Sequence, residues 1–257
     1  MRTQVAVALA FSVPLLAAAA TAAGAELTVF VTGSMADPVE HAAREFTHDT
    51  GHTLRFEQAT TGGLLAKIRG GERADVIVIA AEAAATLEQD GTLAPGSRVA
   101  VASSLFGVVV RIGSPSPDVA TPEAFKATVL RAPTISYPDP VAATVSGGYI
   151  ESVLDKLGIK DAARGKAQLK PMGYLVGEAV AKGEAELGLS FMSEFVANPA
   201  LKVVPFPEAL QKPQLYTAGV FAQSANAAAA RELIAFLTSA AAREELSAAG
   251  VVPAGPQ

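Results

Sequence analysis

Short apolar runs alternate with amphipathic stretches along the chain. The runs are rich in β-branched residues and end at glycine, hydroxyl or charged residues, which is typical of buried strands. The predicted strands are Leu27–Val31, Thr53–Gln58, Asp75–Ile79, Ser104–Ile112, Thr134–Tyr137, Gln168–Lys170, Leu187–Phe191, Lys202–Pro205 and Tyr216–Phe221. The predicted helices are Ala36–Thr50, Leu64–Arg69, Ala81–Gln89, Pro122–Leu130, Gly147–Leu157, Leu175–Ala181 and Ala225–Ala249. The chain is therefore predicted to be of the α/β class.

The order of these elements predicts two lobes. Strands that alternate with helices form a parallel sheet with helices on both of its faces. The segment Gly113–Pro117 separates two such sets and is predicted to lead out of the first lobe. We expect residues 26–112 to form the first part of lobe 1 and residues 113–200 to form lobe 2. Residues 201–257 are expected to return to lobe 1, which leaves a ligand cleft between the lobes.

The N-terminal segment has the pattern of an export signal. Arg2 precedes an uncharged apolar run from Val5 to Ala20, and Ala23–Ala25 supplies small residues before Glu26. A retained membrane anchor is the alternative, but the run is short for a bilayer span of roughly 20 residues. We therefore expect residues 1–25 to be a cleaved signal peptide and the mature protein to be periplasmic. Because the chain has no cysteine, it can hold neither a disulfide nor a lipid-modified N-terminal cysteine.

Composition narrows the classes of partner. Half of the 257 residues are hydrophobic and 18% are charged, which is ample material for a packed core. The formal net charge is −5 and no long basic run is present, which argues against nucleic acid and anionic membrane surfaces as partners. A site for an anion would therefore have to be built locally.

Hydroxyl and glycine residues cluster at three predicted junctions between a strand and a helix. These junctions are Thr32–Ser34, Thr60–Gly63 and Thr144–Gly148. Ligands of open α/β sheets bind at the carboxyl ends of strands, and a helix start offers free amides that suit an anion. Any one junction is better explained as plain helix capping. Three of them across two lobes favour a shared anion site.

Signatures of enzymes are weak in this sequence. It contains no nucleophile elbow, phosphate-binding loop, zinc-protease motif or dinucleotide fingerprint. His41, His48 and His52 lie in or beside the first helix. His41 and His48 are seven residues apart, which resembles the spacing of metal ligands, but we expect this pair to face solvent because no carboxylate or cysteine completes a metal site. Glu178 and Glu194 are candidate acids, although a solvated helix face for Glu178 and a charge at the end of a strand for Glu194 are the favoured interpretations.

Several segments, in this order and spacing, resemble the periplasmic molybdate-binding proteins of ABC importers. The similarity extends over nearly the whole mature chain. The segments that carry it are Val29–Ser34, Ala59–Ile68, Ala74–Ala80, Tyr137–Pro140, Ser146–Tyr149, Lys182–Phe191 and Ala235–Ser239. The resemblance implies a two-lobed type II periplasmic-binding fold, with mixed sheets flanked by helices. It also implies that a tetrahedral oxyanion is held only by hydrogen bonds.

The resemblance also implies a set of site residues. Ser34 and Thr61 match serines of the family, Ser146 and Gly173 match positions whose backbone amides donate, and Phe191 stands where the family usually has a tyrosine. The predicted ligand-binding residues are Gly33, Ser34, Thr60, Thr61, Ser146, Gly147, Tyr149, Gly173 and Phe191. No cofactor and no metal are expected. The expected partners are a small anion, either an oxyanion or a carboxylate, and an ABC permease, and the protein is expected to be a monomer.

Phe191 is a departure from the family, because a phenylalanine cannot donate a hydrogen bond. Tyr149 or Ser190 could replace the missing donor. The altered pocket also leaves open a second function, an isomerase that interconverts trans- and cis-aconitate, as in one branch of this superfamily. Its general base would be one of Tyr149, Glu178, Asp139 or a histidine, and a nearby cation would be Lys67 or Arg111. The binding protein is the first hypothesis and the isomerase the alternative.

Overall fold

The structure is a computed structural model that describes residues 24–142 and 144–255. Most of the predicted signal peptide, residues 1–23, lies outside these described residues. Within the described ranges, no helix is both long and apolar enough to cross a membrane.

Strands and helices alternate through most of the described chain. The strands are β1 Glu26–Thr32, β2 Thr53–Ala59, β3 Val76–Ala80, β4 Val99–Ser104, β5 Phe106–Arg111, β6 Ile135–Pro138, β7 Ala167–Lys170, β8 Leu187–Phe191, β9 Leu201–Pro205, β10 Gln214–Val220 and β11 Val251–Pro253. The helices are α1 Gly33–Thr50, α2 Thr61–Arg69, α3 Ala81–Gln89, α4 Pro122–Arg131, α5 Val145–Lys156, α6 Lys160–Arg164, α7 Gly173–Ala181, α8 Ala227–Leu237 and α9 Ala240–Ala248. Short 3₁₀ turns lie at Pro140–Ala142, Met192–Glu194 and Glu208–Leu210.

The sheet of the first lobe has the strand order β11-β4-β10-β3-β1-β2. β1 runs parallel to β2 and β3, whereas β10 runs antiparallel to β3 and β4. Alternate residues of its central strands face opposite sides of the sheet. Val29 and Val31 join a core with α1, α8 and α9, while Phe30 and Ile77 join a core with α2 and α3. Helices thus cover both faces, as the sequence predicted.

The sheet of the second lobe has the strand order β7-β6-β8-β5-β9. β6 runs parallel to β7 and β8, and β5 runs antiparallel to β8 and β9. Its main core includes Phe106, Phe125, Tyr137, Phe191 and Phe206. Both sheets are mixed, as the family resemblance implied. The parallel arrangement that the first strand-helix set predicted is confirmed for β1, β2 and β3, whereas β10 and β5 run antiparallel to their neighbours.

The predicted single strand Ser104–Ile112 is wrong. The chain leaves the first sheet at the end of β4 and enters the second sheet at Phe106, so two strands in different sheets share one apolar run. The run is continuous because both β4 and β5 are buried, so hydrophobicity alone does not reveal the change of sheet. The chain therefore crosses from the first lobe to the second just before Phe106, and not at residue 113 as the sequence predicted.

Two expectations for the C-terminal part also differ from the structure. β9 pairs with β5 and belongs to the second sheet, so the return to lobe 1 comes with β10 and not at residue 201. The predicted long helix Ala225–Ala249 is two helices, because the Ser239 hydroxyl caps the start of α9 by accepting from the Ala242 amide at 3.2 Å. Tertiary packing decides which strand a short apolar segment pairs with, so the local sequence of the segment does not predict its partner.

Candidate functional site

A small cavity lies between the two lobes, at the ends of strands from both sheets. About 30 Å³ of it is open to a water-sized molecule, so in this conformation it holds only a small group. Its lining combines glycines, hydroxyls, aromatic rings and a single carboxyl group. The lining residues are Thr32, Gly33, Ser34, Thr60, Thr61, Thr144, Val145, Ser146, Met172, Gly173, Phe191, Glu194 and Tyr216.

Four helices begin at this cavity. α1 starts at Gly33, α2 at Thr61, α5 at Val145 and α7 at Gly173. The first two helices belong to lobe 1 and the other two to lobe 2. The first amides of a helix have no partner within it, and a helix N-terminus carries a partial positive charge of roughly half a unit. Four such ends around one small cavity favour a bound anion.

The threonines at the helix starts play two different roles. Thr60 Oγ1 accepts from the Gly63 amide at 3.0 Å, and Thr144 Oγ1 accepts from the Gly147 amide at 3.2 Å. Both are therefore ordinary helix caps. Thr32 is only 3% exposed, and within the described chain its Oγ1 finds no hydrogen-bond partner. A buried hydroxyl without a partner costs about 1–3 kcal/mol, a cost that a ligand oxygen at this position would remove.

Ser34 and Tyr216 form a buried pair of hydroxyls. Ser34 Oγ donates to Tyr216 Oη at 2.8 Å, which leaves the phenol proton of Tyr216 free to be donated elsewhere. Burial raises the pKa of Tyr216 well above its usual value, so the hydroxyl keeps this proton at neutral pH. Tyr216 therefore brings a hydroxyl donor to a cavity in which Phe191 offers none.

Glu194 is the carboxyl group of the cavity and comes from the 3₁₀ turn after β8. Ser190 Oγ donates to its Oε2 at 2.5 Å. Desolvation by the surrounding protein raises the pKa of Glu194 to about 7, while hydrogen bonds from Ser190 and from the Phe191 and Gly173 amides lower it and Asp37 raises it. A group with this pKa can both give and accept a proton near neutral pH.

The two lobes touch each other at this cavity. A Cβ atom added to Gly33 of lobe 1 would lie 2.9 Å from Met172 Cε and 3.8 Å from Glu194 Oε1, both of lobe 2. Ser193 Oγ of lobe 2 donates to the Ser34 carbonyl of lobe 1 at 2.7 Å. These contacts describe lobes that are closed on each other, which agrees with the small volume of the cavity.

Most of the predicted site residues come together here. The structure places seven of them in the lining, namely Gly33, Ser34, Thr60, Thr61, Ser146, Gly173 and Phe191. The three predicted junctions therefore meet at one place, although they are far apart in the sequence. Their role as ligand-binding residues stays a prediction.

Gly147 and Tyr149 lie outside this lining. Tyr149 Oη donates to the Leu210 carbonyl at 3.1 Å, and its ring packs on Phe106 with centroids 4.6 Å apart. Gly147 is needed for close packing, since a Cβ there would lie 2.9 Å from the Pro140 nitrogen. Tyr149 thus does not replace the donor that Phe191 lacks.

The sequence did not identify Tyr216, and it favoured a plain charge at the end of a strand for Glu194. Glu194 does follow the end of β8, and its carboxyl group lines the cavity. A local signal for its enclosure exists, since apolar residues flank it in the run from Phe191 to Val196. No local signal identifies Tyr216, because its partner Ser34 is 182 residues away in the chain.

The other candidate bases and cations lie elsewhere. Glu178 accepts from Lys182 at 2.8 Å on an exposed helix face, and His41 lies 2.7 Å from Glu245. Lys67 pairs with Glu57 and Glu72 on the surface. The candidates absent from the cavity lining are Asp139, Tyr149, Glu178, His41, His48, His52, Lys67 and Arg111. Within the described lining no side chain carries a positive charge, so an anion would be held by hydrogen bonds and helix ends.

Two α/β lobes that close over a cavity of helix ends and hydroxyls define a two-lobed solute-binding protein. The chain belongs to the bacterial extracellular solute-binding protein family, whose pattern matches residues 27–252. An aconitate isomerase of a Pseudomonas species is 31% identical over 253 residues, which cover 96% of this chain and 94% of that protein. The molybdate-binding protein ModA of Azotobacter vinelandii is 28% identical over 247 residues, 92% of each chain.

A solved structure agrees with this assignment of the fold. The periplasmic molybdate-binding protein of Azotobacter vinelandii superposes with a TM-score of 0.74 at 22% identity. The superposition covers 90% of this chain and the whole of that one. The predicted resemblance to molybdate-binding proteins and the predicted two-lobed fold are therefore confirmed.

Proposed function

We propose that the protein captures a small anion between its lobes in the periplasm and delivers it to an ABC importer, after removal of the N-terminal signal peptide. The observation that carries this proposal is the cavity itself. Four helix ends converge on it from both lobes, together with the Thr32 hydroxyl, which has no hydrogen-bond partner among the residues that the structure describes. An enclosed group that touches all of them would have to bear negative charge and accept hydrogen bonds.

The mechanism of capture is closure of the lobes. A ligand that bridges α1 and α2 of lobe 1 with α5 and α7 of lobe 2 binds the closed form better than the open one, so it shifts the equilibrium towards closure. An importer then distinguishes the loaded receptor from the empty one by its closed shape. The volume of the cavity favours a tetrahedral oxyanion or a similarly small acid over a large organic ligand.

Calorimetric titration of the purified protein with molybdate, tungstate, sulfate and small organic acids tests this function. Thr61→Ala should weaken binding by roughly 10-fold or more, because a charge-assisted hydrogen bond contributes about 1.5–3 kcal/mol. Ser34→Ala should also weaken binding, because it removes the hydrogen bond that orients the Tyr216 hydroxyl in the cavity. Thr86→Ala is the matched control, since Thr86 is exposed on α3 and its hydroxyl bonds only within that helix. Absence of binding by the wild type, or equal loss in the control, would contradict the proposal.

The second candidate is an isomerase of aconitate, favoured by one observation. Glu194 brings to the cavity a carboxyl group with a pKa of about 7. Isomerisation of trans- to cis-aconitate removes a proton from one carbon and returns it to another, so one group of this kind could serve as base and then as acid. The helix ends and the Tyr216 hydroxyl would stabilise the negative charge that develops on the conjugated carboxylate oxygens when the proton leaves the carbon. A tricarboxylate would require the lobes to separate further than they are here.

Chromatography of the protein incubated with trans-aconitate decides between the two functions. Formation of the cis isomer that is abolished by Glu194→Gln would establish the isomerase. Glu178→Gln is the control, because Glu178 is a surface carboxyl of the adjacent helix α7. Saturable binding of an anion without any conversion would leave the receptor as the function.

A further inference from the structure

Glu194 raises a question that the proposed function does not answer. A cavity built for an anion also presents a carboxyl group, whose negative charge would repel the ligand. Its Oε1 points toward the start of α1 in lobe 1, while its Oε2 is held by Ser190 in lobe 2. The carboxyl group thus stands between helix ends of the two lobes, where the ligand is expected.

Hydrogen bonds from Ser190 and from the Phe191 and Gly173 amides stabilise the carboxylate of Glu194, but within the described residues no cation forms an ion pair with it. Helix α1 packs against its turn and presents Asp37, whose charge raises the pKa of Glu194. Glu40, His41 and Arg44 of the same helix lie on the side of the turn that carries Ser193 and Val196, away from the cavity lining. Helix α7 contributes Glu178, which faces outward and is paired with Lys182. The remaining neighbours, β5 and β9, carry Arg111 and Lys202 at the ends of the strands remote from the Phe106–Phe191 pair. The other ionisable group close by is Tyr216, which stays neutral.

From this arrangement we propose that binding is coupled to a proton, so that the closed cavity contains the anion together with one proton shared between Glu194 and a ligand oxygen. This inference rests on the proposed function, the capture of a small anion. The bound anion adds a second negative charge beside the carboxylate, which favours the protonated carboxyl. The protonated carboxyl is then a hydrogen-bond donor and supplies the contact that Phe191 cannot make.

The coupling sets a pH dependence whose sign follows from linkage. Below about pH 7 the free protein already holds the proton on Glu194, so affinity for a fully ionised anion should be independent of pH. Above about pH 7 the proton must be taken up on binding, so affinity should fall about 10-fold for each further pH unit. A ligand that is still protonated in this pH range can supply the shared proton itself, so its affinity should fall less steeply as the pH rises.

Calorimetry with molybdate, sulfate and trans-aconitate at about pH 6 and at about pH 9 measures this effect. Titrations at about pH 8 in two buffers of different ionisation enthalpy should show uptake of nearly one proton for each anion bound. Glu194→Gln should remove both the uptake and the pH dependence and bind more tightly than the wild type at about pH 9. Ser190→Ala should move the onset of the fall to higher pH, because it removes a bond that lowers the pKa of Glu194.

The outcomes separate this inference from the function on which it rests. Glu178→Gln is the control and should retain the uptake of the wild type, since its carboxyl is a surface group. Binding without proton uptake, or the same pH dependence in Glu194→Gln, overturns the inference and leaves the receptor function standing. If none of the three probes binds to the wild type, the receptor function falls and the inference falls with it. The wild-type proton count decides the matter even if the Glu194 variant does not fold.

Discussion

Replacement of Thr32 by valine should have opposite effects on the free protein and on its complex. Valine keeps the size and the β-branched shape of threonine at the end of β1, where backbone φ and ψ are −69° and 146°, but removes the hydroxyl. In the ligand-free protein this hydroxyl is buried and, within the described residues, unpaired. Its removal should therefore raise stability, while the loss of a donor at the cavity should weaken anion binding.

The magnitude follows from the cost of an unpaired buried hydroxyl, about 1–3 kcal/mol. Part of this cost is offset because valine packs less well where a polar atom had been, so a net gain of about 1 kcal/mol is expected. For a chain of this size that gain corresponds to about 2–4 °C in Tm. In the complex, loss of a charge-assisted bond of about 1.5–3 kcal/mol should raise the Kd by roughly 10- to 100-fold.

Thermal unfolding without ligand and calorimetry with ligand give the two measurements. Thr128→Val is the matched control, because Thr128 is 5% exposed and its hydroxyl donates to the Asp118 carbonyl at 2.7 Å. That variant breaks an existing bond, so it should lower the Tm and leave the Kd unchanged. A fall in the Tm of Thr32→Val equal to that of the control would refute the reasoning, since it would mean that the Thr32 hydroxyl is already paired.

Three further changes test other parts of the cavity. Phe191→Tyr should tighten molybdate binding by about 10-fold, because it adds a hydroxyl donor at the lining, and calorimetry showing no gain would contradict that placement. Gly173→Ala should weaken binding by at least about 10-fold, because the added methyl group would clash with the Glu194 carboxyl; Gly148→Ala, where a Cβ meets nothing within 4 Å, is its control. Between its usual pKa of 4.5 and about 7, Glu194 is protonated in the folded protein and ionised in the unfolded chain. The free energy of unfolding of the wild type, relative to Glu194→Gln, should therefore fall by up to about 3 kcal/mol as the pH rises through this window. Urea unfolding that shows a constant difference, or one of opposite sign, would contradict the pKa shift.

The parts of the structure that the sequence predicted are those that local chemistry determines. The bounds of α3 and β8 match the prediction, and Gly51 ends α1 in the left-handed conformation with φ of 70°. The three hydroxyl and glycine junctions were found for the same reason, since a helix start needs caps and free amides wherever it lies.

The parts that the sequence did not predict depend on contacts between distant segments. The apolar run through Leu105 gave no sign of the crossover, since both of its halves are buried in different cores. Tyr149 was predicted in the site as a possible replacement for the donor that Phe191 lacks, but it lies one turn after Ser146 along α5, and its hydroxyl donates to the Leu210 carbonyl outside the cavity lining. In both cases, contacts with residues distant in the sequence determine where the segment lies.

The same division explains why the sequence indicates an anion but does not identify which one. The attraction for negative charge comes from backbone amides at four helix starts, and amides are present whatever the side chains are. In the proposed receptor, selection among anions would depend instead on the few side chains that reach the cavity, above all Tyr216 and Glu194. Tyr216 adds a donor, whereas Glu194 adds either a donor or a repelling charge according to its proton. Protonation of Glu194 depends on pH and on the bound ligand, so the specificity of the cavity cannot be read from the empty site alone. The number of protons taken up on binding is the measurement that shows which form of Glu194 meets the anion.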